Sequence, residues 1–328
     1  MPTLLVTKKM SAELARRVEA CVEGRTREPG SRLAPRARAM VRAVALTSLV
    51  VLVVLVTSTL LRESRALDAR RTKLLQRQHE LRADLGPDDL DAPRRMAAFL
   101  PEFAGARRAD DVDGELAVPD AWAKLVAAPG VYLRSSLAGV SGRVEDSAES
   151  SLLDAFVLCL RSPPRARTET ELRSKARAAA GGRASALEGM ARLYDLLVGL
   201  PLLGADFEGR VRRADTLSAL AKLERELDRA PLPRAKLGAR ARYFWVVVDE
   251  PSFEKVPAEL DGERPHDVRV GLVDLVRGKV LLRLARKVDP SFVSAPARAE
   301  HASGIDSCAL AWDVRAAVEA SAKVSAGP

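Results

Sequence analysis

Few residues in this 328-residue chain are types that do chemistry, and they lie far apart: three cysteines (Cys21, Cys159, Cys308) and three histidines (His79, His266, His301). Cys159 closes the apolar run SLLDAFVLCL and Cys308 sits in IDSCALAW. In an oxidising compartment two such thiols can join, closing a loop of about 150 residues for roughly 4–5 kcal/mol in the chain-entropy picture. A Cys159–Cys308 disulfide is therefore the expected pairing. The alternatives are inert buried thiols, or a reactive Cys308 activated by a helix N-terminus with His301 or Asp306 assisting. No local signature accompanies the reactive reading. Cys21, near the N-terminus, is expected to stay reduced.

The histidines have no ligand-like neighbours and read as solvated loop or stalk residues. Residues 109–120 (ADDVDGELAVPD) echo a calcium loop through Asp111, Asp113, Gly114 and Asp120. Ala109 stands where the first ligand belongs, however, and Pro119 where a helix should begin, so an acidic turn is the expected form. The chain lacks G-x-x-x-x-G-K, G-x-S-x-G, H-E-x-x-H and C-x-x-C. These are the spacings by which backbone amides cradle phosphate, a serine is exposed on a sharp turn, or side chains converge on zinc. No catalytic, cofactor-binding or metal-ligating residue is assigned, and no cofactor is expected.

The strongest feature is an uncharged run of 19 residues, Ala43 to Leu61 (AVALTSLVVLVVLVTSTLL), between Arg42 and Arg62. At about 1.5 Å rise per residue it reaches roughly 28 Å as a helix, close to the ~30 Å hydrocarbon core. Its hydroxyl residues cluster toward the ends, where they can bond back to helix carbonyls. A 42-residue polar lead and the absence of a small-x-small exit argue for an uncleaved anchor over a signal peptide. The preceding tail holds ten Lys or Arg and four Glu, a net +6. Six cations flank the run on each side, so positive-inside counting ties. Exporting a +6 tail opposes the membrane potential, and paired cysteines need an oxidising space. Both point to an N-terminus in the cytoplasm. High Ala and Arg usage suggests a GC-rich bacterial genome, and hence the bacterial inner membrane.

The anchor divides the chain into a basic tail (1–42), the transmembrane helix (43–61), a helical stalk (62–86), a linker (87–118) and an extracytoplasmic domain (119–328). Within the tail, Ser11–Gly24 has helical apolar spacing suited to a partner or a membrane surface. In the stalk Leu60, Leu67, Leu74 and Leu81 repeat every seven residues, but Ser64, Arg71 and Gln78 weaken the companion seam, leaving a homodimer as one option. The linker reads as an acidic, Pro-bearing spacer.

The domain is expected to be α+β, a mainly antiparallel sheet packed by several helices. Gly130–Arg134 reads as a strand, and Ser151–Leu160 as a strand or a helix. Helices are expected at Thr168–Ala180, Ala184–Leu200, Asp215–Asp228 and Ser307–Ala322. Tyr243–Val248 is apolar on both faces and reads as a central strand. Val268–Val276 and Val280–Val288 form a hairpin turning at Arg277-Gly278, with Val280, Leu282, Leu284 and Val288 on one face.

Beyond residue 42 the chain nets only +3 with few aromatics, which argues against nucleic-acid binding. The expected function is a non-enzymatic, envelope-anchored binding or assembly module whose partners are membrane lipid and a protein or the cell wall. A transmembrane signalling subunit acting through the tail helix and an envelope hydrolase are the alternatives. Deleting residues 1–24 separates the first two, because only signalling needs the tail helix.

Overall fold

The structure is a computed structural model that describes residues 35–118, 120–142, 155–180, 189–250, 265–289, 291 and 293–325. The tail helix expected at Ser11–Gly24 and Cys21 lie outside the described residues. Strands are numbered β1 (Asp111–Val112), β2 (Gly130–Ser136), β3 (Met190–Arg192), β4 (Tyr243–Asp249), β5 (His266–Asp274) and β6 (Lys279–Val288). Helices of seven or more residues are α1 (Pro35–Arg82), α2 (Ala121–Ala127), α3 (Ala155–Arg161), α4 (Glu169–Ala180) and α5 (Leu193–Gly199). They continue with α6 (Ala205–Arg213), α7 (Leu217–Arg229), α8 (Leu232–Ala239) and α9 (Ala295–Ser325).

The chain divides into two compact units, Met1–Ala66 and Leu67–Pro328. In the first, α1 contains a helical stretch long and apolar enough to cross a membrane. Its aliphatic side chains from Val44 to Val56 are exposed, as lipid contact requires. Four of the five hydroxyls bond to the preceding turn: Thr47 donates to Ala43 and Val44 carbonyls at 3.0 and 2.9 Å, and Thr57 to Val53 at 2.8 Å. Ser58 and Thr59 donate to Leu55 and Val56 in the same way, which removes the cost of a bare hydroxyl in hydrocarbon.

The second unit is built on one six-stranded sheet in the order β1-β6-β5-β4-β2-β3. It is mixed, which corrects the mainly antiparallel expectation: β4–β2 and β2–β3 pair in parallel, whereas β1–β6, β6–β5 and β5–β4 are antiparallel. The third parallel strand, β3, opens a stretch read as one helix over Ala184–Leu200; only α5 and the 3-10 turn Leu200–Leu203 of that stretch are helical among the described residues. Strand period two divides β4 cleanly. Phe244, Val246 and Val248 face one apolar layer with Val131, Leu133 and Met96, while Trp245 and Val247 face another with Tyr132, Phe156 and Leu310. Burial on both faces is what parallel strands need.

The β5–β6 hairpin turns where expected, with Gly278 at φ +63°, and the Asp274 carboxylate accepts the turn N–H groups of Val276 and Arg277 at 3.0 and 3.1 Å. The face assignment needs one correction. A bulge makes Val273 pair with Val280 and Leu272 with Leu282, skipping Leu281. Val280 consequently packs on the Phe244 layer and Leu281 on the Trp245 layer with Leu282 and Leu284. One extra residue inverts the alternation beyond it.

Two more boundaries shift. Residues expected to form a spacer carry short helices at Ala92–Ala97 and Leu100–Ala104, and Met96, Leu100 and Phe103 are buried in the sheet's core. Within the expected stalk, Leu74 is buried among Phe207, Val211, Leu220 and Leu223, with Leu67 and Leu81 packed beside it. Gln78 donates to the carbonyls of Leu202 and Gly204 at 3.1 and 2.9 Å, and Arg70 pairs with Glu224 at 2.6 Å. Leu67, Leu74 and Leu81 of the repeat thus pack within the chain, which removes the sequence argument for a zipper at these positions. Ser151–Leu160 resolves as a helix over its described part, α3. The last helix begins at Ala295, twelve residues before the expected Ser307.

Candidate functional site

Strand geometry brings together five buried polar side chains that the sequence scatters. On β2, Arg134 shares the parity of Tyr132; on β4, Asp249 shares that of Trp245 and Val247; on β5, His266 shares that of Val268 and Val270. All three therefore lie on the Trp245 face. They also lie at one end of the sheet, where β2 and β4 finish and the antiparallel β5 begins. From above, α9 lays Asp306 and Ser307 onto them. Each of the five is at most 5% exposed.

Arg134 forms a two-pronged pair with Asp249, Nε to Oδ2 at 2.8 Å and Nη2 to Oδ1 at 2.7 Å. This fork-to-fork geometry gives the strongest and most directional charged hydrogen bonds. Its remaining Nη1 donates to Ser307 Oγ. His266 Nε2 lies 3.3 Å from Asp249 Oδ1. Burial works against charge on Asp249, but the Arg134 guanidinium outweighs it with help from His266, holding the carboxyl at about 2. Asp306 goes the other way. Burial pushes its carboxyl up to about 7; His266 and Arg134 pull it down, while Asp249 and Asp289 push it further up. Asp306 Oδ2 has no hydrogen-bond partner among the described residues.

The next residue after Ser307 is Cys308, bonded to Cys159 of α3 with an S–S distance of 1.98 Å and a Cα–Cα distance of 5.2 Å. Both sulfurs are buried. One turn earlier, Gly304 lets α9 approach α4 closely: a Cβ there would sit 2.7 Å from Ala176 Cβ. The disulfide and this close approach fix the turn that carries Asp306 and Ser307.

His266 is thus a buried member of an ion cluster, which corrects its reading as a solvated residue; His79 is exposed on α1, and His301 belongs to α9. Cys308 stands in the middle of α9 and is disulfide-bonded, so neither a helix N-terminus nor a free thiol activates it. The acidic turn is confirmed as a turn: Asp113 accepts the Glu115 N–H and pairs with Lys279 at 2.5 Å, and Asp111 starts β1. No group of three metal-ligating side chains occurs among the described residues. Sequence reading missed Arg134 and Asp249. The available signal was a charge at the end of a doubly apolar strand, in GVYLR and YFWVVVD, where burial forces a partner.

Chemically, the cluster is closed. Its cation is engaged by the Asp249 carboxylate and the Ser307 hydroxyl, and the carboxyl that burial pushes up to about 7 is that of Asp306. Two surface grooves lie elsewhere. One of about 440 Å³ runs between Leu100–Ala104 and Leu137–Ser141, and one of about 400 Å³ between α1 and α6 is lined by Gln76, His79, Arg82 and Arg212. No protein-family model, curated protein or solved structure matches the chain.

Proposed function

We propose that the chain is a single-pass bacterial membrane protein, anchored by Ala43–Leu61, that acts as a non-enzymatic binding or assembly module of the cell envelope. In this reading the basic tail lies in the cytoplasm and the unit from Leu67 onward lies outside it. The apolar helix supplies the anchor, and the +6 tail resists export. The observation that carries the orientation is the buried Cys159–Cys308 disulfide beyond the apolar run, since such bonds persist in oxidising compartments and are rare in the cytosol. The non-enzymatic part of the reading rests on the sequence, which lacks the spacings that build a phosphate loop, a serine elbow or a zinc helix.

The test is membrane fractionation with thiol labelling of the full-length chain. It should resist alkaline carbonate extraction. In the denatured, unreduced protein a maleimide should modify Cys21 alone, and all three cysteines after reduction. Release by carbonate, or labelling of all three without reductant, would overturn the reading.

A further inference from the structure

We propose that the Arg134–Asp249–His266–Asp306 cluster is a single-proton site that latches α9 to the sheet. With the proton present the helix is seated; when it leaves, the turn around Ile305–Ala309 loosens while the disulfide keeps it tethered. Counting charge in the buried volume leads to this. Arg134 and Asp249 neutralise one another through their two-pronged contact. Among the described residues the second carboxyl, Asp306, then has His266 with which to balance. Either Asp306 is the neutral acid beside a neutral imidazole, or it is a carboxylate beside an imidazolium. Both states contain one proton more than the fully deprotonated cluster, and both leave these four side chains with no net charge. Removing that proton strands a net negative charge in a site at most 5% exposed, which proteins avoid by moving or unfolding the group.

Among the described residues the groups facing Asp306 are few. Arg134 comes from β2, Asp249 from β4 and His266 from β5, with Asp289 just past β6 and Ser307 on α9 itself. The helices packed on this part of α9 present Cys159, Ala155 and Ala176. Of their charged residues, Arg161 donates to the Ala128 carbonyl, Arg173 pairs with Glu169 and Lys175 donates to the Ser162 hydroxyl. Further along, Asp313 of α9 pairs with Arg167 at 2.8 Å. In the turn Gly114–Ala117, Glu115 pairs with Arg277. On β6, Arg286 pairs with Asp110. No other cation among these is free to replace the proton. The Oδ2 of Asp306 has no hydrogen-bond partner among the described residues, so no donor at that oxygen stabilises an anion.

The experiment is amide hydrogen exchange of the full-length chain in detergent micelles, corrected for intrinsic rates, at pH 5.5 and pH 8.5. With a carboxyl titrating at about 7, protection of peptides covering Ile305–Ala309 should fall by roughly thirtyfold at pH 8.5, the tenfold-per-unit factor over 1.5 units. Protection of β4 should not change. Asp306→Asn should abolish the difference; Asp313→Asn, on the same helix, should leave it. Should Asp306→Asn fail to fold, the wild-type comparison still decides. Equal protection at both pH values, or the same loss in a folded Asp306→Asn, would overturn the proposal.

Discussion

Replacing Arg134 with Met removes one side of a buried ion pair while keeping a side chain of similar length. Asp249, fully buried, loses both charged hydrogen bonds at 2.7 and 2.8 Å. Stripping one partner from such a pair costs about 3–5 kcal/mol. A second route to the magnitude agrees: the Asp249 carboxyl at about 2 against an ordinary 3.8 corresponds to about 2.5 kcal/mol in the carboxylate's favour, net of its burial cost. That depressed value supplies stability present above pH 3.8 and lost as pH falls through 2. Without the guanidinium, burial is opposed by His266 alone. The Asp249 value then rises above 3.8, and its contribution becomes one that is fully present below 3.8 and lost as pH rises. Asp306 shifts the same way. The variant should therefore be about 3–5 kcal/mol less stable than wild type at pH 7, and the gap should narrow toward pH 4.5. Guanidinium unfolding of the full chain in detergent reads this through Trp122, Trp245 and Trp312, all within the Leu67–Pro328 unit. Adding Asp249→Leu should recover most of the loss, because the remaining buried charge is gone. A single variant within 1 kcal/mol of wild type, or a gap that does not close in acid, refutes the argument.

Three further outcomes follow from the packing. Cys159→Ser with Cys308→Ser releases a loop of 149 residues and should cost about 5 kcal/mol in the chain-entropy model, seen as a lower denaturant midpoint that reductant no longer changes. Leu74→Ala opens a hole among Phe207, Val211 and Leu220 and should cost about 2–5 kcal/mol, whereas a zipper residue would instead change the oligomeric mass in light scattering. A Cβ at Gly271 would fall 2.1 Å from Phe103 Cε1, so Gly271→Ala should cost about 1–3 kcal/mol by overpacking; adding Phe103→Leu should restore part of the thermal midpoint.

Elements whose signal is local were legible in the sequence. The uncharged run, the doubly apolar strand β4, the turn at Gly278 and the helix α7 each announce themselves within about a dozen residues, because hydropathy, strand parity and turn chemistry are short-range properties. Val280 was misassigned because a bulge depends on how a partner strand registers, which one strand's pattern does not encode. The spacer was misread for a related reason: Met96 and Phe103 lie among Pro, Asp and Arg, and only the exposed face of the sheet they cover explains their burial. The leucine heptad satisfied two packings equally, with a second copy or with α6 and α7, and choosing between them required knowing that α6 and α7 were there.

By itself the sequence determined that one helix is long and apolar enough to cross a membrane, that the rest mixes helices and strands, and which two cysteines stand in apolar surroundings. Tertiary structure alone decided the cluster. Arg134, Asp249, His266 and Asp306 are separated by up to 172 positions in the chain, and what unites them is strand parity, the end of the sheet at which β2, β4 and β5 meet, and the helix laid over that end. Charge interacts through space, so a buried carboxyl finds its counterion by folding and not by spacing.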